Sequence, residues 1–400
     1  MNIKKLLYFA LVVVFVFGAV SCAPTTPAET AAPVEPAAPA EQAAPAEPAA
    51  PAAEVITLKV WDNFVRPAET AIMEELVKNF EADHPNVKIV REAKSMDDLK
   101  ATLALALKSD DSADVAMINQ GESDMGAYAK ANLLVPMNDY AAKFGWYDKF
   151  PQSLVRLNSW SEDGSKMGEG NFYGIPIQAE LIGVYYRKDV FAQYGIAVPT
   201  TFAEFEAAIA TLKANGVTPI IFGNLDGWPA IHTYSELQNV YQASRSWYDD
   251  FMFTTGTVDF NTPENLKAAQ TLKTWADDGT FMADFAGVGY DDAYQLFSAG
   301  QGGMLLTGSW LSGDLAASPY IDNIGFFVLP PMEKDGFKLT VGGTGFAFGI
   351  SAKSKNPDLA AEYINYLYSE KTAKDMLAAG FLPVYPLENV EISDGLLADI

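Results

Sequence analysis

Cysteine and histidine are nearly missing from this 400-residue chain, which has one of the former, Cys22, and two of the latter, His84 and His232. A single thiol excludes an internal disulfide and a cysteine-rich zinc site. Two histidines leave little for a His-based metal cluster or a catalytic triad. Positive charge is scarce too: 27 Lys and Arg stand against 51 Asp and Glu, a net charge of −24. Such a surface repels phosphate backbones and anionic head groups, so nucleic acid and a charged bilayer surface are not expected partners. Charged residues make up only 20% of the chain, while hydrophobic residues reach 49% and aromatics 12%. That composition excludes global disorder and supplies the cores of two or three domains. What remains is a large acidic binding protein or a carboxylate-based enzyme.

The apolar run at residues 6–20, preceded by Lys4 and Lys5, has the length of the hydrophobic part of an export signal and falls short of the ~20 residues of a spanning helix. Gly18-Ala19-Val20-Ser21 leads into Cys22. A sole cysteine at a cleavage point resembles the bacterial lipobox, whose thiol is lipidated and becomes the mature first residue; Ala19 stands where that motif usually has leucine. The other reading is ordinary cleavage near residues 19–23 with an incidental thiol. Residues 23–53 are nearly all Ala and Pro with spaced Glu and can pack no core. Proline at this density favours extended polyproline II, a semi-rigid tether. The expected order is therefore a signal at 1–21, a lipidated Cys22 opening a tether at 22–54, and a globule from 55. Lys4, Lys5, Glu29, Glu35, Glu41, Glu47 and Glu54 fall outside that globule, which keeps 25 basic and 46 acidic residues, net −21.

Within the globule, strand and helix patterns alternate. Residues 56–61, 87–90 and 114–119 read as strands. Between them Ile72, Leu76 and Phe80 form one helix stripe that stops at His84-Pro85, and Leu99, Leu103 and Leu107 form another behind a capping box at Ser95. The polar, Gly-rich stretch at residues 159–171 reads as a boundary. Beyond it come strands at 173–178, 183–186, 219–222, 304–306, 324–328 and 346–350. Helices are expected after Thr201-Phe202-Ala203-Glu204, after Thr262-Pro263-Glu264 with Leu266, Ala269, Leu272 and Trp275 along one side, and after Asn356-Pro357. Alternation of this kind predicts an α/β fold with a mostly parallel sheet and ligands at the carboxyl ends of strands, which marks Trp61-Asp62-Asn63 and Asn119-Gln120-Gly121 as edge positions of a site.

Reactive motifs are absent. Gly342-Gly343-Thr344-Gly345 is a near-miss for a dinucleotide fingerprint, but it has Phe348 at the closing position and runs into a strand. Gly121-Glu122-Ser123-Asp124 lacks the last glycine of a nucleophile elbow, since position 125 is Met. His84 reads as a solvent-facing helix stop, and His232 as a satisfied, partly buried side chain. No cofactor or metal is expected. A pair of catalytic carboxylates stays open, because their separation in space decides it.

Three stretches carry a resemblance. The first is Tyr173-Gly174-Ile175-Pro176-Ile177-Gln178-Ala179-Glu180 running into Tyr185-Tyr186-Arg187-Lys188-Asp189. The second is Gly303-Met304-Leu305-Leu306-Thr307-Gly308-Ser309-Trp310, and the third is Gly343-Thr344-Gly345-Phe346-Ala347-Phe348 with Ser354-Lys355-Asn356-Pro357 after it. In this order they resemble the solute-binding proteins of bacterial ABC importers, in the branch that includes maltose-binding protein and other sugar binders. The resemblance implies a two-lobed periplasmic-binding-protein fold with a ligand cleft between the lobes. One lobe would hold residues 55–172 and return at 341–400; the other would hold 173–340. It also implies ligand contacts at Trp61, Asn63, Gln120, Glu180, Tyr185, Asp226, Trp228, Trp310, Gly343 and Thr344. Glu180 would accept hydrogen bonds from sugar hydroxyls and Trp310 would form an aromatic platform. Those types suit a pyranose, which has one apolar face and a rim of hydroxyls.

The function so implied is a lipid-anchored, extracytoplasmic, monomeric receptor that binds a carbohydrate and passes it to an ABC permease, touching the membrane by its anchor alone. Family members usually carry further helices beyond the region resembling residues 380–385, and the chain ends at Ile400. Two other readings compete: a surface glycoside-active enzyme using two carboxylates, and the same receptor fold holding a polyamine or other small solute. Each site residue also has a plainer reading. Trp310, Trp61 and Trp228 could be core, and Glu180 could pair with Arg187 or Lys188.

Overall fold

The helix at Pro67–Asp83 shows how sequence becomes structure here. Proline at its first position needs no amide partner, and Ile72, Met73, Leu76 and Phe80 fall on one buried face. The backbone leaves helical geometry at His84. In the computed structural model, which describes residues 54–242, 244–392 and 395–400, such helices cover two separate sheets. The expected signal, Cys22 and the tether up to residue 53 lie outside the described residues. Among the described residues no helix is long and apolar enough to cross a membrane.

The strands are β1 (Ile56–Asp62), β2 (Val87–Ala93), β3 (Val115–Ile118), β4 (Ser159–Trp160), β5 (Asn171–Phe172), β6 (Ile175–Pro176), β7 (Ile182–Arg187), β8 (Ile220–Ile221), β9 (Met304–Gly308), β10 (Ile324–Phe327) and β11 (Ala347–Ile350). The first sheet has the order β2-β1-β3-β11-β6 and the second β10-β7-β9-β8. Each defines a lobe with its own apolar core, and the second lobe buries both faces of its sheet. Alternation along β7 sends Ile182, Val184 and Tyr186 into one core cluster and Tyr185 into the other.

Several expectations need correction. The sheets are mixed rather than mostly parallel. β1 runs parallel to β2 and β3, and β8 to β9, but β11 is antiparallel to β3 and β6, and β7 to β9 and β10. Residues 159–171 are no boundary, because β4 and β5 pair as a hairpin inside the first lobe. The crossing falls later than residue 172. β6 still belongs to the first sheet, and the chain passes over only at residues 178–182, where Leu181 pairs with Gly342 of the return segment. The last described residues do not stay with the first lobe. Leu396 packs into the second lobe's core, and Asp399 pairs with Lys188 at 2.9 Å.

The Pro263–Asp277 helix has Thr262 as its N-cap as expected, yet it is rotated from the expected stripe. Asn265, Ala268 and Trp275 are buried, whereas Leu266 is 59% exposed. Asn265 earns the inner position through hydrogen bonds. Its Nδ2 donates to Phe260 O (2.7 Å), and its Oδ1 accepts from Gln238 Nε2 (2.9 Å).

Candidate functional site

Between the lobes lies a cavity of about 590 Å³, within the range of small-molecule sites. The first lobe contributes Asn63 after β1, Arg66 and Glu69 at the start of the Pro67–Asp83 helix, and Gln120 after β3. The second contributes Asp226, Trp228, His232, Tyr290, Asp291 and Trp310, and the crossing segments add Gln178, Glu180, Gly342 and Thr344.

Aromatic rings dominate the second lobe's wall. Trp228 lies 4.4 Å from Tyr290 and 6.1 Å from Trp310 between ring centroids, and His232 lies 5.7 Å from Trp310. Trp310 lies two residues beyond the end of β9, and glycine is what lets its ring fold back there: a Cβ on Gly308 would sit 1.9 Å from that ring. The indole Nε1 donates to Tyr290 Oη (2.6 Å), which also meets Thr307 Oγ1 (3.0 Å). Asp226 Oδ2 accepts from the Tyr290 amide (2.8 Å) at the start of the Tyr290–Ser298 helix, where negative charge is favoured.

Carboxylates gather at the junction of the lobes. Asp314 of the second lobe accepts from Arg66 Nε (3.1 Å) and from the Ala68 amide (3.2 Å), capping a helix of the first lobe, while Arg66 also pairs with Glu69. Glu180 lies nearby. A Cβ on Gly345 would fall 2.4 Å from its Oε1, so glycine there makes room for the carboxyl. Burial, with the charge of Glu69 adding to it and Arg66 opposing, pushes Glu180 up to about 8; burial likewise pushes Glu69 up to about 7. At neutral pH Glu180 is largely a neutral acid, able to donate a hydrogen bond as well as accept one. Burial, with Lys100 nearby, lowers His232 to about 4, so its imidazole is neutral. Among the described residues no group of three or more His, Cys, Asp or Glu side chains is placed to hold a metal ion.

Of the residues expected from the sequence, Asn63, Gln120, Glu180, Asp226, Trp228, Trp310 and Thr344 line this cavity. Gln120 Nε2 donates to Thr344 Oγ1 (2.7 Å) and Gly345 O (3.1 Å), tying β3's end to the return segment. Trp61, Tyr185 and Gly343 do not line it. Trp61 lies under the Lys94 ammonium, 4.1 Å from the ring centroid. Tyr185 is fully buried in the second lobe, its hydroxyl donating to Gly308 O (3.2 Å). Gly343 is not part of the lining, although its neighbours Gly342 and Thr344 are. Glu180 does not take the ion pairs weighed for it, since Arg187 pairs with Asp189 and Lys188 with Asp399.

His232 is not the satisfied side chain expected: it faces the cavity, and its Nδ1 has no hydrogen-bond partner among the described residues. His84 is also less exposed than a solvent-facing stop, stacked on Phe80 at 4.0 Å. Sequence reasoning missed Arg66 and Tyr290. Arg66 directly precedes a helix-opening proline just beyond the end of β1, and a helix start after a strand end is the signal that would have found it; Tyr290, which follows Gly289 into a helix, carries no such signal.

Two lobes, two crossing segments and a ligand-sized cavity lined from both sides define a cleft-type binding fold. The family model for bacterial extracellular solute-binding proteins matches residues 66–374, and the chain belongs to that family. It is similar to the multiple sugar-binding protein of Streptococcus mutans, 25% identical over 312 residues that cover 74% of this chain and 68% of that protein. The arabinooligosaccharide-binding protein of Halalkalibacterium halodurans is 24% identical over 326 residues, covering 76% of this chain and 66% of the relative. Among solved structures, a chitin oligosaccharide binding protein superposes with a TM-score of 0.75 at 26% identity, over 86% of this chain and 85% of that one. A structure from work on xylan utilization by the thermophilic bacterium Caldanaerobius polysaccharolyticus also gives 0.75 at 26% identity, over 86% of both chains.

Proposed function

We propose that the chain is a non-catalytic receptor that captures a sugar or oligosaccharide and presents it to an ABC permease. The observation that carries this reading is the cavity lining itself, in which the rings of Trp228, Tyr290 and Trp310 share the second lobe's wall with the carboxyl groups of Asp226 and Asp291, and the first lobe adds the Gln120 amide. Rings of this kind suit the apolar face of a pyranose, and acceptors beside them suit its hydroxyls. The names of the relatives, sugar binders among them, support the same class.

A thermal-shift panel of lactose, raffinose, xylotriose and chitotriose tests the reading. A ligand at about 100 times its Kd stabilises by about 2.7 kcal/mol, so a clear rise in Tm is expected with at least one sugar, and none with any would overturn the assignment. Spermidine belongs in the same panel. Even with Glu180 largely neutral, the lining acids Glu69, Asp97, Asp226, Asp291 and Asp292 outnumber the lining cations Arg66 and Lys100, which favours a cation as the second reading. Incubation of the purified protein with the bound oligosaccharide should return it intact, whereas shorter products would establish an enzyme.

Family membership makes the protein extracytoplasmic, and lipidation of Cys22 is the proposed anchor. Stable attachment takes more than one acyl chain. Cys22→Ser is expected to move the protein from the membrane pellet to the soluble fraction, and a variant still pelleting with the membrane would exclude this anchor.

A further inference from the structure

The Trp228–Gln242 helix carries Trp228, His232 and Glu236 four residues apart, so the three form one stripe. The first two line the cavity; the third does not and is fully buried. Glu236 Oε1 accepts from the Val341 amide (2.6 Å) and lies 3.1 Å from Thr340 Oγ1, which is also within 2.5 Å of Ile182 O. Val341 O in turn accepts from the Ile182 amide (2.8 Å). One carboxyl oxygen thus grips the return crossing segment at the residue where it is bonded to the outgoing one.

Hydrogen bonds reach one oxygen of that carboxyl, but no countercharge meets it among the described residues. Among the described residues no cation pairs with Glu236, and Oε2 has no hydrogen-bond partner. From its own helix the Asn239 amide reaches Oε1 at 3.5 Å, and from the Arg245–Met252 helix the titratable group that faces it is Tyr248, whose buried hydroxyl is also without a partner. Glutamine would accept the same Val341 bond with no charge to bury, so the hydrogen bond alone does not call for an acid here.

We propose that Glu236 is a positioning residue of the hinge, its protonation state setting how firmly the return segment is held against the helix that lines the cleft. Burial pushes this carboxyl up to about 8, opposed by the bonds from Val341 and Thr340. The sign follows from linkage. The latched geometry binds the proton more tightly than water does, so it is favoured at low pH, and raising the pH through about 8 favours conformations in which the carboxylate is hydrated and the crossing segment released. The inference rests on the cleft being the binding site, and it holds for any solute.

Electron–electron double resonance tests it without ligand. Nitroxides go on Val90→Cys and Leu266→Cys, exposed positions on opposite lobes, in the full chain carrying Cys22→Ser. With Glu236 present, the population at longer inter-lobe distance is expected to rise at least threefold between pH 6 and pH 9. Glu236→Gln is expected to show a clearly smaller rise, no more than Glu69 and Glu180 at the junction supply as they titrate in the same range. Glu69 and Glu180 are present in both chains, so the difference between them isolates Glu236. An equal pH response in both chains, or a flat one with Glu236 present, overturns the proposal. Carbon-13 NMR of the Glu236 carboxyl in the unsubstituted chain gives a second readout, and a titration that does not coincide with the distance change also overturns it. Either failure leaves the sugar reading standing, because no sugar is in the sample.

Discussion

Replacing Arg66 with alanine is expected to lower the free energy of unfolding by about 3–5 kcal/mol at pH 7, the cost of removing one partner from a buried ion pair. Its two carboxylate partners are almost wholly enclosed, with side-chain exposures of 3% for Glu69 and 4% for Asp314, so neither can turn to water when the guanidinium goes. Asp314 keeps the Ala68 amide, but Glu69 keeps only the backbone amide of residue 66. The defect would also be felt between the lobes, because the Arg66–Asp314 bond joins them. Arg66→Lys should lose less, restoring the charge without the planar fork that serves two carboxylates at once. The pH dependence has a definite sign. Glu69 is pushed up to about 7 in the folded state, above its ordinary value, so its contribution is full at low pH and is lost as pH rises through 7. Without Arg66 its carboxyl should hold its proton more tightly still, and the deficit against the parent should shrink between pH 7 and pH 5. Urea unfolding of parent and variant at the two pH values measures this, and a variant within 1 kcal/mol of the parent at pH 7 would show that the cluster is not coupled as described.

The sequence was most legible where one local rule decided the outcome. Thr201 and Glu204 cap each other at the start of the Phe202–Ala214 helix, as their spacing predicts, and Ser95 accepts from the Asp98 amide in the same way. Periodicity placed the stripe of the Pro67–Asp83 helix, and motif resemblance placed Glu180 and Trp310 at the cleft. It failed where two distant segments decide together. Tyr185 and Trp61 look like sugar-binding aromatics in one dimension, yet strand alternation puts the first in a core and a lysine covers the second. Arg66 and Asp314 are 248 residues apart, so no local pattern joins them. The Pro263–Asp277 helix turned its asparagine inward for partners at residues 238 and 260, a choice hydrophobic periodicity has no means of seeing.

Trp310→Ala is expected to weaken binding of whichever panel sugar gives the largest thermal shift by a factor of roughly 30 to 1000, about 2–4 kcal/mol, the range of a buried aromatic anchor. Its ring borders both apolar clusters of the second lobe, lies at 60° to Trp228, and is held by the bond from Nε1 to Tyr290 Oη. That bond fixes the orientation before any ligand arrives, so little ordering entropy offsets the contact. The fold should survive the truncation. Trp310 is only partly buried, and Tyr290 Oη retains Thr307 Oγ1 when the indole is gone. Trp61→Ala is the matched control, since it removes the same ring from a position outside the cavity and should leave affinity within about twofold. Isothermal titration of the three proteins, each checked for parental circular dichroism, separates the outcomes. If Trp310→Ala binds within fivefold of the parent, the sugar face does not lie on this ring; if Trp61→Ala loses as much, the ligand reaches past the wall formed by Asn63 to the face now covered by Lys94.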